Sequence, residues 1–230
     1  TVLNVEALAS DGTNLFAGCG SQVFLSTNNG NSWTLASTGL QAGWINTIAI
    51  NGNNIFAGGN RTSPNGGISL SVNNGLSWSD VNNGLTNAID TMVTINSIVA
   101  SGNNVFAGTD RGIFISTNNG GLWTAMNNGI GLWSHYISSL ALKGDTIFAG
   151  TSGGVYSSGD SGLNWTPDTN GLNVQIIALA ISGNNIFAAS GAEIFLSVDD
   201  GDNWTNISSG LPLNQITSLT VNRDTVFAGT

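Results

Sequence analysis

Short runs in which apolar and polar residues alternate recur along the whole chain. The first run is Val5–Ala9, the second is Ile45–Ile50, and a turn rich in Asn and Gly follows each. Alternation over five or six residues is typical of a half-buried β-strand and is too short for a helix. A second apolar run follows each turn, and this run contains the sequence Phe-Ala-Gly or Phe-Ala-Ala. This wording occurs at Phe16–Gly18, Phe56–Gly58, Phe106–Gly108, Phe148–Gly150, Phe187–Ala189 and Phe227–Gly229.

The most repeated stretch has the frame Ser-x-(Asn/Asp)-x-Gly-x-x-Trp, which we call the box. It follows a third apolar run and precedes a fourth run that opens on Trp. Gly supplies a positive φ, the Asn or Asp side chain can bond turn amides, and Trp can anchor the turn by packing. The five copies are Ser26, Asn28, Gly30, Trp33; Ser71, Asn73, Gly75, Trp78; Ser116, Asn118, Gly120, Trp123; Ser158, Asp160, Gly162, Trp165; and Ser197, Asp199, Gly201, Trp204.

The box tryptophans follow one another at intervals of 45, 45, 42 and 39 residues. A fixed period near 40 residues with four short strands per period indicates a β-propeller, in which each sheet packs against the next. We therefore predict an all-β fold with one propeller domain over 1–230, as a possible fragment of a longer propeller. The predicted blades are 1–42, 43–86, 87–132, 133–172 and 173–212, with the first two strands of a sixth at 213–230.

Composition narrows the range of partners. The formal net charge is −9 with four Lys and Arg residues, which argues against nucleic acid and against docking on an anionic membrane. No apolar run approaches the length of a spanning helix, so membrane insertion is not expected. The sequence opens at Thr1 without an initiator Met or a signal peptide, which suggests a processed or excised piece of a longer protein.

No cofactor or metal is expected from the titratable residues. The single cysteine, Cys19, excludes an intrachain disulfide and a cysteine zinc site, and it is interpreted as filler at a turn. The lone His135 has no second ligand. The acidic stretch Asp199–Asp202 is rich in oxygen atoms, but its spacing is not that of an EF-hand loop.

The box resembles the Asp-box, also called the bacterial neuraminidase repeat, although three copies hold Asn where that family prefers Asp. The resemblance covers nearly the whole chain and implies a sialidase-like propeller with the box between the third and fourth strands of each blade. The family includes sialidases, xyloglucanase-type glycosidases, sortilin-like receptors and a photosystem assembly factor. The wording here is most similar to repeat proteins exported to bacterial surfaces, which implies an extracellular or cell-surface location.

The resemblance implies requirements for catalysis that the chain does not meet. A sialidase of this family would need three arginines around a carboxylate, and the chain holds Arg61, Arg111 and Arg223 in all. Arg223 is predicted in a first-to-second-strand turn, at the end of a blade opposite the other two. Asp90 and Asp110 could approach one another as paired carboxylates, but the sequence favours the account in which both are turn residues in surface loops. Catalytic residues could still lie outside this chain.

Candidate ligand contacts gather in the second-to-third-strand loops and the interblade loops. Trp44 and Trp133 are the two tryptophans outside the boxes, and His135 and Tyr136 follow the second of them. Exposed aromatic rings there could stack on sugars or anchor a protein, and Arg61 and Arg111 could bind carboxylates or hydroxyls. The sequence favours the alternative account, in which the rings fill gaps between blades at the rim.

Our hypothesis is a non-catalytic exported or cell-surface propeller that binds a glycan or a protein. The reason is that the sequence carries a full set of structural repeats but no recognisable set of catalytic residues. One alternative is a glycosidase-like enzyme with part of its active site outside this chain. Another is a structural subunit that self-associates through the incomplete sixth blade, since an unpaired strand edge favours association.

Overall fold

The computed structural model of the chain describes residues 4–60, 66–85, 93–131, 134–168, 170–211, 215–223 and 225–230. The chain forms two compact units, Thr1–Ala125 and Met126–Thr230, which are described separately. Arg61, Asp90 and Trp133 lie outside the described residues. Within the described ranges no helix is long and apolar enough to cross a membrane.

The described residues of the first unit form three antiparallel sheets, each of four strands in sequence order. Their strands are β1 (Ala7–Ser10), β2 (Leu15–Cys19), β3 (Gln22–Ser26) and β4 (Thr34–Leu35); β5 (Ile45–Asn51), β6 (Asn54–Gly59), β7 (Gly67–Ser71) and β8 (Ser79–Asp80); and β9 (Ile95–Ser101), β10 (Asn104–Thr109), β11 (Gly112–Ser116) and β12 (Thr124–Ala125).

The second unit holds two further four-stranded sheets and, within the described residues, one sheet of two strands. Their strands are β13 (Ile137–Lys143), β14 (Thr146–Thr151), β15 (Gly154–Ser158) and β16 (Thr166–Asp168); β17 (Ala178–Ser182), β18 (Asn185–Ser190), β19 (Glu193–Ser197) and β20 (Thr205–Asn206); and β21 (Ser218–Asn222) and β22 (Thr225–Gly229).

These sheets are the blades of a β-propeller fold, five complete and the sixth with two strands, as the repeat predicts. The fourth strands differ in detail from the prediction, because they begin one residue after the box Trp and pair over only two or three residues. Cys19 also differs, since it is the buried last residue of β2 rather than a turn residue.

Neighbouring blades within each unit approach so closely that the Gly of Phe-Ala-Gly has no room for a side chain. A Cβ on Gly18 would lie 2.5 Å from Cγ2 of Ile45, and one on Gly150 would lie 2.7 Å from Cγ2 of Ile176. Carbon atoms that are not bonded do not approach so closely, so a Cβ on Gly18 or Gly150 would require the Ile of the next blade to shift, whereas the fifth blade holds Ala189 at this position. This confirms that the repeated glycine permits close approach of the sheets.

Each box is a hydrogen-bonded turn between the third and fourth strands. In the first box the Ser26 hydroxyl donates to Oδ1 of Asn28 at 3.0 Å and accepts from the Gly30 amide at 2.9 Å. Oδ1 of Asn28 also accepts from the Ser32 amide at 2.9 Å. The residue after Asn28, Asn29, has a φ of 57°, in the left-handed region. The side chains therefore satisfy the turn amides locally, as the motif predicts.

The box Trp fastens its blade to the preceding one by two hydrogen bonds, which we call the clamp. The Trp78 indole Nε1 donates to the Ala36 carbonyl at 2.8 Å, and its amide donates to the Thr38 carbonyl at 2.9 Å. Trp165 and Trp204 make the same two bonds inside the second unit. The acceptors always lie three and five residues after the preceding box Trp, so the clamp persists although the repeat length changes.

Candidate functional site

Two ends of each blade carry different connections, because adjacent strands are antiparallel. The turns between second and third strands share one end with the interblade loops, and we call this the loop end. The boxes share the other end, the box end, with the turns between first and second strands. In the first unit, the Asn119 amide of one box donates to the Asn103 carbonyl of the neighbouring turn at 3.2 Å. The loop end therefore presents connections that the boxes do not occupy.

Trp44 lies at the loop end of the first unit, directly before β5, and half of its surface (50%) is exposed. Its carbonyl accepts a hydrogen bond from the Asn60 amide at 2.8 Å. A Cβ on Gly59 would lie 2.3 Å from that carbonyl oxygen, so the backbone there packs too tightly for any larger residue. The main chain of Trp44 is thus held firmly while its ring faces solvent, which argues against the alternative that it fills a gap.

Asn46 extends this contact to the next blade. Its Nδ2 donates to Oδ1 of Asn60 at 2.8 Å and to the Ile95 carbonyl at 2.8 Å. Asn46 therefore ties the loop end of the second blade to the start of β9, and the sequence prediction did not include it. Asn46 lies in the first strand of its repeat, where the sequence pattern shows it only as a polar residue of an alternating run.

Asp110 and Arg111 form the β10–β11 turn at the same loop end. Oδ1 of Asp110 accepts from the Thr94 amide at 3.0 Å, and the Asp110 amide donates to the Thr94 carbonyl at 3.1 Å. Oδ2 of Asp110 lies 3.7 Å from Nε of Arg111, whose side chain is 58% exposed. The carboxylate therefore holds the turn, while more than half of the Arg111 side chain remains exposed.

His135 and Tyr136 belong to the second unit. Tyr136 is about half exposed, whereas the preceding Ser134 is buried. The hydroxyl oxygens of Ser134 and Tyr156 lie 3.3 Å apart, which ties the loop before β13 to the third strand of its blade. Ser134 is a positioning contact that sequence reasoning missed, because Ser is an ordinary loop residue.

Arg223 lies in the β21–β22 turn with a φ of 53°, at the box end as predicted. Its carbonyl accepts from the Ser182 hydroxyl at 2.6 Å. In the described part of the chain no group of three or more His, Cys, Asp and Glu side chains is arranged to hold a metal ion.

Asp168 is a half-buried carboxyl that the sequence prediction overlooked. Burial raises its pKa to about 6; a hydrogen bond from Ser157 lowers the pKa in part, and the charge of Asp202 raises it further. Its Oδ2 has no hydrogen-bond partner. The position lies three residues after a box Trp, and the other four repeats hold apolar residues there: Ala36, Val81, Met126 and Ile207. Comparing the repeats position by position would have exposed this departure.

Comparisons with known proteins agree on the fold. The model of the DUF6242 beta propeller domain matches residues 116–226, just under half of the chain. No curated protein matches the chain.

Solved structures match over almost the whole chain. An ancestral GH74 enzyme superposes with a TM-score of 0.75 at 21% identity, covering 95% of this chain and 33% of that one. The extracellular domain of a putative one-component system from B. thetaiotaomicron gives 0.77 at 19% identity, covering 99% and 31%. The GH74 xyloglucanase from Xanthomonas campestris gives 0.68 at 14%, covering 91% and 38%.

The chain thus spans about a third of the length of these structures. At such identities the likeness shows the fold alone, and the class of protein defined so far is the β-propeller. Because this fold occurs both in enzymes and in the extracellular domain of a putative one-component system, function has to be argued from the residues of the site.

Proposed function

We propose that the chain is a non-catalytic propeller of an exported or cell-surface protein that binds a glycan or a protein at the loop end of its first unit. The supporting observation is the exposed ring of Trp44 on a backbone held by Asn60. A rigid exposed aromatic side chain offers a large apolar contact at low entropic cost. Such residues dominate the binding energy of many recognition surfaces.

Arg111 supplies the polar part of the proposed surface. Its exposed guanidinium can donate to sugar hydroxyls or to a carboxylate of the ligand. Asp110 keeps the turn in place through Thr94, so the guanidinium starts from a fixed backbone. Trp44 and Arg111 are joined through Asn60, Asn46 and the start of β9, all within one unit, which supports their action on one ligand.

Asp110 contributes to the proposed surface by holding its turn. Its Oδ1 accepts a hydrogen bond from the Thr94 amide, and its Oδ2 lies 3.7 Å from Nε of Arg111, which is a charge contact rather than a hydrogen bond. We also assign the repeated turns to the Asp-box type, on the basis of their motif.

The proposed extracellular location rests on the resemblance to exported repeat proteins and on the fold shared with an extracellular domain.

A glycan array and a pull-down from cell-surface extracts, both with the wild-type chain, would identify the ligand. We expect Trp44→Ala to weaken binding at least tenfold in calorimetry, because truncating a central aromatic contact costs about 2 kcal/mol or more. Leu76→Ala is the matched control, since Leu76 is also exposed but lies in a box at the other end of the same blade. It is expected to leave the affinity unchanged.

Two results would overturn the proposal. One is equal loss of affinity in the Trp44 and Leu76 variants. The other is failure to bind any ligand together with turnover of a fluorogenic sialoside or of xyloglucan. Turnover that Asp110→Ala abolishes would establish a glycosidase instead.

A further inference from the structure

The second blade departs from the other four complete blades at two positions of its middle strands. One is Ser69 in β7, which is fully buried, and the other is Gly59, the last residue of β6. The other blades hold an aromatic residue at the first position: Phe24, Phe114, Tyr156 and Phe195. At the second position they hold Cys19, Thr109, Thr151 and Ser190. Because protein interiors are close-packed, other atoms must occupy the space that the smaller residues leave.

The segment Gln41–Trp44, which we call the Trp44 loop, packs against both of these positions. In the third blade the ring of Phe114 lies in one core cluster with Leu85, which comes from the loop before that blade. In the second blade Ala42 is completely buried and belongs to the core cluster that the first two blades share. The Trp44 loop therefore supplies the second blade with buried surface that a ring supplies in the third.

Ser69 holds the start of the Trp44 loop. Its hydroxyl accepts a hydrogen bond from the Gln41 amide at 3.2 Å and donates to Oδ1 of Asp80 at 3.2 Å. The Gln41 carbonyl in turn accepts from the Gly66 amide at 2.8 Å. A buried hydroxyl costs stability unless it is bonded, and here it acts as both donor and acceptor. A phenylalanine ring at this position would provide neither bond.

Gly59 admits the end of the same loop. A Cβ on Gly59 would lie 2.3 Å from the carbonyl oxygen of Ala42 and 2.3 Å from that of Trp44. Both oxygens belong to the backbone, so no side-chain rotation relieves the collision. The Thr or Ser that other blades hold here would consequently displace the loop. The two departures of the second blade thus act on the two ends of one loop.

We propose that Ser69 and Gly59 are positioning residues of the ligand site, which seat the Trp44 loop and thereby hold the Trp44 ring in solvent. Ser69 is fully buried and Gly59 has no side chain, so neither presents a side chain to a ligand. A loop that is fixed before a ligand arrives loses less entropy on binding. The consequence for affinity rests on the proposed function, whereas the seating of the loop does not.

The seating of the loop is tested without a ligand, by amide hydrogen exchange measured with NMR. In Ser69→Ala the Gln41 amide loses its acceptor and should exchange about tenfold faster. In Gly59→Ala the Asn60 amide should exchange faster by a similar factor, because the new Cβ displaces its acceptor, the Trp44 carbonyl. The indole signal of Trp44, identified by its absence in Trp44→Phe, should shift in both variants.

Ser190→Ala is the matched control, since it places alanine in the fifth blade at the position that Gly59→Ala changes in the second. It should leave the two amide exchange rates and the Trp44 indole signal unchanged. The indole signals of Trp78 and Trp123, both held by the clamp, report that the blades remain packed.

Two exchange results would overturn the seating of the loop. One is a wild-type exchange rate of the Gln41 amide in Ser69→Ala or of the Asn60 amide in Gly59→Ala. The other is an acceleration that the strand amides of β5 share, because that would be a general loss of stability.

Binding by the same variants is measured on the glycan array, with Trp44→Ala in parallel. Ser69→Ala and Gly59→Ala should both reduce the signal on the printed glycans that the wild type retains, by about tenfold. If Trp44→Ala loses the signal and both positioning variants keep it, their role in the site is overturned and the proposed function stands. If Trp44→Ala keeps the signal, the proposed function is overturned, and the exchange rates still decide the seating of the loop.

Discussion

At the scale of the residue, the five boxes differ in ways that their local hydrogen bonds explain. Where the box holds Asp160 or Asp199, a second carboxylate oxygen accepts from the side chain of Asn164 or Asn203 at 2.8 Å. Where it holds Asn28, the side chain has a donor instead, and Nδ2 donates to the Ser32 hydroxyl at 2.9 Å. The Asn28 side chain therefore makes three hydrogen bonds within its box, as the Asp160 side chain does within its own.

Ser161 is the residue least suited to its position in a box. Its φ is 61°, and the other repeats hold Asn29, Asn74, Asn119 and Asp200 at this left-handed position. Asn and Asp tolerate this conformation better than Ser does. We expect Ser161→Asn to raise the free energy of unfolding by roughly 0.5 kcal/mol, part of the ~1–2 kcal/mol penalty of the left-handed region. Urea denaturation measures it.

The reverse change, Asn29→Ser in the first box, is the matched control and should lower the free energy of unfolding by a similar amount. Both side chains are exposed, so packing does not confuse the comparison. Equal stability of all three proteins would contradict the role assigned to this position.

Asp168 should give the fold a pH dependence of its own. Its pKa is about 6 in the folded chain against 3.8 for an ordinary Asp. Between these values the folded state holds the proton and the unfolded state does not, so stability falls as pH rises from 4 to 6 and levels off above that range. After allowance for partial exposure, the loss is about 1 kcal/mol.

Asp168→Asn and Asp168→Val should both remove this dependence of stability on pH. Asp168→Val introduces the residue that the second repeat holds at the same position, Val81. Urea denaturation at pH 4, 6 and 8 would show each variant gaining stability relative to wild type as pH rises. A constant difference across the three pH values would show that burial of Asp168 does not control its protonation.

At the scale of the element, the loop that ends each blade is shaped by the next blade's Trp. Gly39 has a φ of 81°, and a Cβ there would lie 2.5 Å from the Trp78 carbonyl oxygen. Gly210, at the same position of the fifth blade, has a φ of 87° and nothing within 4 Å. A glycine in each of these loops indicates a turn, but only the packed blades show that Gly39 also makes room for the clamp.

These two glycines provide a matched pair of variants. Both Gly39→Ala and Gly210→Ala place a side chain in the left-handed region, which costs about 1–2 kcal/mol. Gly39→Ala adds a collision with backbone, so it should lower the free energy of unfolding by roughly a further 1–3 kcal/mol. Denaturation of both variants in urea measures the difference, and equal losses would show that the clamp loop adjusts freely.

At the scale of the whole molecule, the sequence predicted the architecture well because the propeller is built from local units. Alternating runs of five or six residues form strands wherever a turn can reverse the chain, and the box supplies its own hydrogen bonds for that turn. Strand order, the place of the box and the use of Gly18 were all predictable for this reason. Of the predicted ligand contacts, Trp44, Arg111, His135 and Tyr136 lie in the described part of the chain, and Arg61 and Trp133 do not.

What the sequence by itself determined is the number of repeats, the strands within each and the turns between them, because these depend on residues close together in the chain. Trp33 and Trp78 share the same motif, yet one is exposed and the other is buried and clamped. Asp168 shares its position with apolar residues, and only the adjoining blade makes it a half-buried carboxyl. Burial depends on surfaces contributed by residues some 40 positions away, so only the tertiary structure decided which faces remain open.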